Sequence, residues 1–343
     1  MSSGVHEPSA HTATDMIGAF FFPDALTAVD AGQRRSMLAR LRDHGVTTIL
    51  TESDVYDDAV IADVHDAGLA FFAGVACFLD TSGAASPPVL ATGGAKPQME
   101  WYRGVVPTDT AHAIARLETI ERVITDHDVD GLLLDFIRWP MHWELELRPG
   151  WPPPVDCSFD AATLADLRER TGLDVPDTDP VAAARWLHTH APEAWQGYKA
   201  EVITRFVAEV RQRTARAGLG TLAVTLVPVM PTWVGQDAAA LSAHVDLVMP
   251  MLYHAILQRP AGWVRSEVNA LHVATDAAIA PILQVDSDGS AQDADWGAPV
   301  SDDEFASCLH DTLAAGAAGA AMFTGSALLD EGRLAVLNRV LRG

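Results

Sequence analysis

The stretch "DGLLLDFIRWP", residues 130–140, decides how this chain is read. Leu132, Leu133, Leu134 and Phe136 describe a buried strand, yet Asp135 stands inside it. Arg138, Trp139 and Pro140 then close the segment. A charge at the end of an apolar strand is costly unless it is partnered or used.

Working outward, the same short apolar run recurs along the chain. "MIGAFFF" (16–22), "VTTILTES" (46–53) and "LAFFAGVACF" (69–78) precede it. "TLAVTLVPV" (221–229), "VDLVMPMLY" (245–253), "APILQVD" (280–286) and "GAAMFTGS" (319–326) follow. Between them lie stretches with apolar residues at helical spacing. Met37, Leu38 and Leu41 run up to Gly45, and Val60, Ile61 and Val64 run up to Gly68. A third helix, N-capped by Thr108, carries Ile114, Leu117, Ile120, Val123 and Ile124. Ser301 and Glu304 have the spacing of a capping box. Near-continuous apolar strands alternating with amphipathic helices mark a parallel sheet buried on both faces. Eight such units predict a (β/α)8 TIM barrel with long loops after strands 3 and 4. An open doubly wound sheet is the competing arrangement, but no G-x-G-x-x-G follows the first strand. Residues 1–14 are expected to form a flexible tail and residues 15–343 a single barrel domain.

The formal net charge of −23 argues against a nucleic-acid partner, because phosphate binding needs a basic footprint. No run approaches the ~18–20 apolar residues of a membrane span. The N-terminal "MSSGVHEPSAHTATD" has no basic and apolar regions of a secretory signal, so a cytoplasmic protein is expected. Cys77, Cys157 and Cys308 are odd in number and widely spaced, which fits neither a disulfide framework nor a zinc site.

Chemistry in such barrels sits at the C-terminal ends of the strands. That filter selects Glu52 after strand two, Asp135 and Arg138 after strand four, Tyr253 and His254 after strand six, and Asp286 with Asp288 after strand seven. It also selects indoles: Trp101, Trp139, Trp143, Trp151, Trp233, Trp263 and Trp296 fall in or just after βα loops. Indoles beside carboxylates suit a sugar, with ring faces on its C–H surface and polar groups on its hydroxyls. Of these, Trp101, Trp139, Trp143, Trp233 and Trp296 are expected to bind substrate together with Arg138, Tyr253 and His254. Two carboxylates across the mouth make a glycosidase, and Asp135, Asp286 and Glu52 are the catalytic candidates. Arg138 would hold Asp135 ionised, or grip a hydroxyl or a uronate. Asp286 or Glu52 would then be the proton donor.

Several segments also resemble a known family. "HDVDGLLLDFIRWP" (127–140) resembles the strand-four signature, "ydvDGihlDyiRyP", of the glycosyl-hydrolase-like barrels grouped with the family 10-like glycosidases. "EWYRGVVPTDTAHAIARLETIERVI" (100–124) is similar to the segment leading into that strand. "WQGYKAEVITRFVAEVRQR" (195–213) is similar to the family's Trp-led helix, and "VDLVMPMLYH" (245–254) to its sixth strand. The resemblance implies a TIM barrel that acts on or binds carbohydrate, with Asp135, Arg138 and Tyr253 as the carried positions. Without a signal peptide, an oligosaccharide or glycoside is the expected substrate.

Other barrel chemistries fit less well. A Schiff-base enzyme needs a lysine at a strand end, but Lys96 lies in a loop and Lys199 in a helix. A metal-dependent hydrolase needs paired histidines after strand one, and "GAFFFPDA" has none. No metal or cofactor is therefore expected. The alternative from another class is a degenerate barrel that binds carbohydrate without cleaving it.

Overall fold

A computed structural model describes residues 15–99, 101–176, 179–286 and 297–343. The expected tail, residues 1–14, lies outside the described residues. The strands are β1 (Met16–Phe21), β2 (Thr48–Glu52), β3 (Ala70–Ala76), β4 (Gly131–Asp135), β5 (Thr221–Leu226), β6 (Leu247–Leu252), β7 (Ala278–Ile279), β8 (Ile282–Gln284) and β9 (Gly319–Phe323). All pairings are parallel, and β5–β6 together with β1–β9 close the sheet on itself. The two-residue β7 and the three-residue β8 flank Ala280–Pro281 and both pair with β6, so they form one stave. Eight staves with intervening helices make the (β/α)8 barrel that the alternation predicts.

Two apolar layers follow from the period-2 alternation of each strand. Phe20, Leu50, Phe72, Leu133, Met249 and Ala321 fill the lumen. Their neighbours Ala19, Ile49, Phe71, Leu132, Val248 and Ala320 pack outward against the helices. Crowding in the lumen is severe. A Cβ at Gly131 would lie 2.6 Å from the Phe72 ring, so the strand-four motif has to open with glycine.

The capping box at Ser301 and Glu304 forms, opening the helix Asp302–Ala314. The helix Thr110–Asp126 starts one residue later than expected, because Asp109 and not Thr108 accepts the His112 N–H. Thr108 instead hydrogen-bonds Thr163 at 2.7 Å.

The long excursion after β4 is largely helical, with segments Trp143–Glu146, Ala161–Thr171, Pro180–His190 and Pro192–Ala217. Buried Asp156 ties it together. It pairs with Lys199 Nζ at 3.2 Å and accepts from Trp195 Nε1 at 2.6 Å. Among the described residues no helix is long and apolar enough to cross a membrane.

Candidate active site

The mouth of the barrel holds a cavity of about 240 Å³. Its wall combines Phe20, Phe22, Trp101, Phe136, Tyr253 and Phe323 with the polar side chains of Glu52, Asp135, Arg138 and Glu144. Each polar group arrives there for a local reason.

Asp135 is the last residue of β4 and pairs with Ala76 of β3. Phe136 then adopts a left-handed conformation with φ +47°, sparsely allowed for a bulky residue, and turns the chain sharply off the strand. The turn aims the Phe136 N–H at Asp135 Oδ1, 2.6 Å away. Thr225 of β5 donates to the same oxygen at 2.8 Å. Asp135 is thus held by two donors before any ligand is considered.

Glu52 ends β2 opposite Gly74 of β3. A Cβ on Gly74 would press on Thr51 O at 2.9 Å and on Glu52 at 3.3 Å, so the glycine leaves room for Glu52 at the strand end. Burial raises the Glu52 carboxyl well above the ordinary carboxylate range, and the Asp135 carboxyl, within hydrogen-bonding reach, adds to the rise. Both causes hold Glu52 toward its protonated form.

Arg138 is 1% exposed, and its guanidinium lies against the rings of Tyr102 (5.1 Å) and Phe136 (4.8 Å). Those two rings stack on each other with centroids 5.6 Å apart, and Phe136 lines the cavity. The nearest carboxylate oxygen to Arg138 is not on Asp135 but on Glu144, at 4.0 Å. Arg138 Nε and Nη2 and Glu144 Oε2 have no hydrogen-bond partner. Glu144 sits in the short helix Trp143–Glu146, where its backbone carbonyl takes the Arg148 Nε–H at 2.7 Å. Burial pushes the Glu144 carboxyl up to about 7, against the pull of Arg138. His142, beside it, is pushed down to about 4 by burial and by Lys96 and Arg138.

The expected residues divide clearly. Asp135, Glu52, Arg138, Trp101 and Tyr253 line the cavity together. Tyr253 stacks on Phe323 (5.1 Å, 20°), and Trp101 Nε1 has no partner. Trp143 is fully buried against Tyr253, with ring centroids 5.6 Å apart, and supports the wall from behind.

Trp139 does not line this cavity. It is 2% exposed, donates Nε1–H to Lys199 O at 3.0 Å and packs on Trp195 and Tyr198. Arg138 lines the cavity while its neighbour Trp139 packs into the helical layer. Trp233 is also outside the cavity wall, half-buried, with Lys199 Nζ bonded to its carbonyl. His254 is buried with Nδ1 3.6 Å from Cys308 Sγ, behind the wall and not in it. Asp286 lies two residues past β8, half-buried, and is not among the described residues that line the cavity. Asp288 and Trp296 lie outside the described residues.

Glu144 is the acid that sequence reasoning missed. Its only signal is a glutamate within "MHWELE", nine residues after Asp135, in a loop with no strand end to flag it. The lining phenylalanines Phe20, Phe22 and Phe323 read as ordinary strand residues.

No family model and no curated protein matches the chain. Solved structures do. The glycoside hydrolase domain of PgaB (BpsB) from Bordetella bronchiseptica superposes with a TM-score of 0.70 at 16% identity, over 95% of this chain and 98% of that one. The catalytic domain of a β-amylase from Paenibacillus polymyxa gives 0.66 at 12% identity, over 96% and 98%. A family 18 N-acetylglucosaminidase from Paenibacillus barengoltzii gives 0.52 at 12% identity, over 95% and 99%. At these identities the likeness concerns the fold. The chain is a (β/α)8 barrel of the kind that glycoside hydrolase catalytic domains use.

Proposed function

We propose that the protein is a glycoside hydrolase acting on an oligosaccharide or glycoside at the C-terminal mouth of its barrel. The observation that carries this is one cavity with aromatic walls around Asp135, Glu52 and Glu144, two of them held toward the protonated form. Glycoside hydrolysis needs one carboxylic acid to protonate the leaving oxygen and one carboxylate to attack or to activate water. Glu144, at about 7, is matched to donate a proton near neutrality. Asp135, fixed by Phe136 N–H and Thr225 Oγ1–H, is placed as the nucleophile or base. Glu52, held toward its protonated form, stands beside it. The fold neighbours support a carbohydrate-acting barrel.

A second reading, binding without cleavage, draws on the closeness of Glu52 and Asp135. Side chains in hydrogen-bonding reach are nearer than the ~5–5.5 Å of a retaining pair. Turnover therefore depends on Glu144 as the third carboxyl. A panel of aryl glycosides and oligosaccharides, assayed with wild type, Asp135→Asn and Glu144→Gln, separates the readings. Turnover that falls by about 10²-fold or more in both variants, with binding kept, is the expected result. Sugar binding with no turnover in any of the three proteins would replace the hydrolase by the binding barrel.

A further inference from the structure

Most well-buried cations of this barrel are closed by an aspartate. Arg34 Nε bonds Asp63 at 2.8 Å, Arg116 Nη1 bonds Asp54 at 2.7 Å, Arg333 Nη1 bonds Asp302 at 2.8 Å and Lys199 Nζ bonds Asp156 at 3.2 Å. Arg138 is more deeply buried than the three other arginines, yet it reaches no carboxylate within hydrogen-bonding distance. Two of its N–H-bearing atoms, Nε and Nη2, are unsatisfied. The Tyr102 and Phe136 rings, stacked on each other, both lie against the guanidinium. A buried cation without its counter-ion is destabilising by several kcal/mol in general, and is kept where something else supplies the anion. The unsatisfied edge belongs to a residue that lines the cavity.

We propose that the cavity selects a sugar ring bearing a carboxylate, a uronic acid residue, whose two oxygens take Arg138 Nε and Nη2. A planar carboxylate fits the fork of a guanidinium edge with two parallel hydrogen bonds, which a single hydroxyl cannot do. The "sugar" in this statement rests on the function proposed above; the "carboxylate" rests on Arg138 alone. Trp101 Nε1, also unpartnered on the wall, is a further donor for such a ring.

Negative charge already present at the site is the obvious objection, and the burial of two of its three acids reduces it. Burial holds both Glu52 and Glu144 toward their protonated forms. Glu144 faces Arg138, Asp135, Glu146 and Tyr253, while Lys96 is engaged by Glu146 and His142 stands at its side. A uronate arriving at Arg138 competes for the cation that partly stabilises ionised Glu144. Binding should therefore draw a proton onto Glu144, up to about half a proton at pH 7. The same event arms the acid.

Calorimetric titration of the wild-type protein with methyl glucuronide, galacturonide and mannuronide, beside the neutral methyl glucoside, galactoside and mannoside, tests this directly. At least one uronide should bind about tenfold more tightly than its neutral counterpart, the ratio expected of charge-assisted hydrogen bonds. In Arg138→Lys and Arg138→Gln, checked for folding by circular dichroism, the preference should collapse. Titration in two buffers of different ionisation heat should show proton uptake with the uronide, absent in Glu144→Gln. Equal or weaker binding of all three uronides, or a preference that survives loss of the guanidinium, overturns the proposal. If the Arg138 variants do not fold, the wild-type ratio and the proton uptake decide it. These readouts are independent of turnover: a barrel that binds uronides without cleaving anything would refute the hydrolase and keep this inference.

Discussion

Replacing Glu144 by glutamine should make the protein more stable as well as less active, and the stability gain should depend on pH. Glu144 is 6% exposed and its carboxyl stands at about 7 against an ordinary 4.5. Its native value is raised, so the folded state binds the proton more tightly than the unfolded chain does. The stability this provides is fully present below about 4.5 and is lost as pH climbs through about 7. At 1.36 kcal/mol per pH unit, the loss amounts to about 3 kcal/mol. A glutamine is neutral throughout and escapes it. Urea unfolding of both proteins at several pH values between 4.5 and 8 should give curves that nearly coincide at the acid end. They should separate by about 3 kcal/mol at pH 8, with Glu144→Gln the more stable. His142 and Glu52 also titrate abnormally, but they do so in both proteins and cancel in the difference. A difference that stays flat with pH, or grows toward acid, would refute the claim that burial governs Glu144. An activity profile carries the same signature: if Glu144 is the acid, the wild-type rate declines as pH rises through about 7, and that decline disappears in the glutamine variant.

Thr225→Val removes one of the two donors on Asp135 Oδ1 while keeping shape; turnover should fall about tenfold or more with KM little changed, measured by steady-state kinetics. Gln236 is fully buried and spans three backbone groups, donating to Ile137 O and Thr225 O and accepting from Val227 N. Gln236→Leu strands all three and should cost at least about 3 kcal/mol in urea unfolding. Trp101→Ala should weaken substrate binding with little change in thermal stability. Trp139→Phe should do the reverse, lowering the melting temperature while leaving KM alone, because its indole serves the core.

The barrel was legible because its staves are buried on both faces and separated by helices with clear stop signals. Its deviations are small and local: a cap moved from Thr108 to Asp109, and a seventh stave split at Pro281. The site was legible only in part, and the dividing line is physical. Residues at strand ends, Glu52 and Asp135, have their position set by register, which apolar patterning encodes. Residues beyond the strand end have their direction set by backbone conformation, which patterning does not encode. Beyond the left-handed residue Phe136, Arg138 lines the cavity and Trp139 packs into the helical layer, although they are neighbours in sequence. The same turn begins the path that brings Glu144 back to the mouth. Counting indoles in loops therefore overestimated the wall, since Trp139 and Trp233 hold the excursion together at Lys199.

The question posed by the strand-four motif has a different answer from the one its residue order implies. Asp135 and Arg138 are three residues apart, and a salt bridge between them would close both charges and leave the site inert. The chain avoids that bridge. Asp135 is satisfied by uncharged donors and paired with a protonated neighbour, and Arg138 is clamped by rings at the far side of a turn, 4.0 Å from an acid that burial keeps near neutrality. Arg138 Nε and Nη2 and Glu144 Oε2 thereby keep hydrogen-bonding capacity unspent at the wall of one cavity, at a cost to folding stability. A structural role for the motif would have joined these groups to each other. Keeping them apart is what the proposed ligand-binding role of this cavity requires.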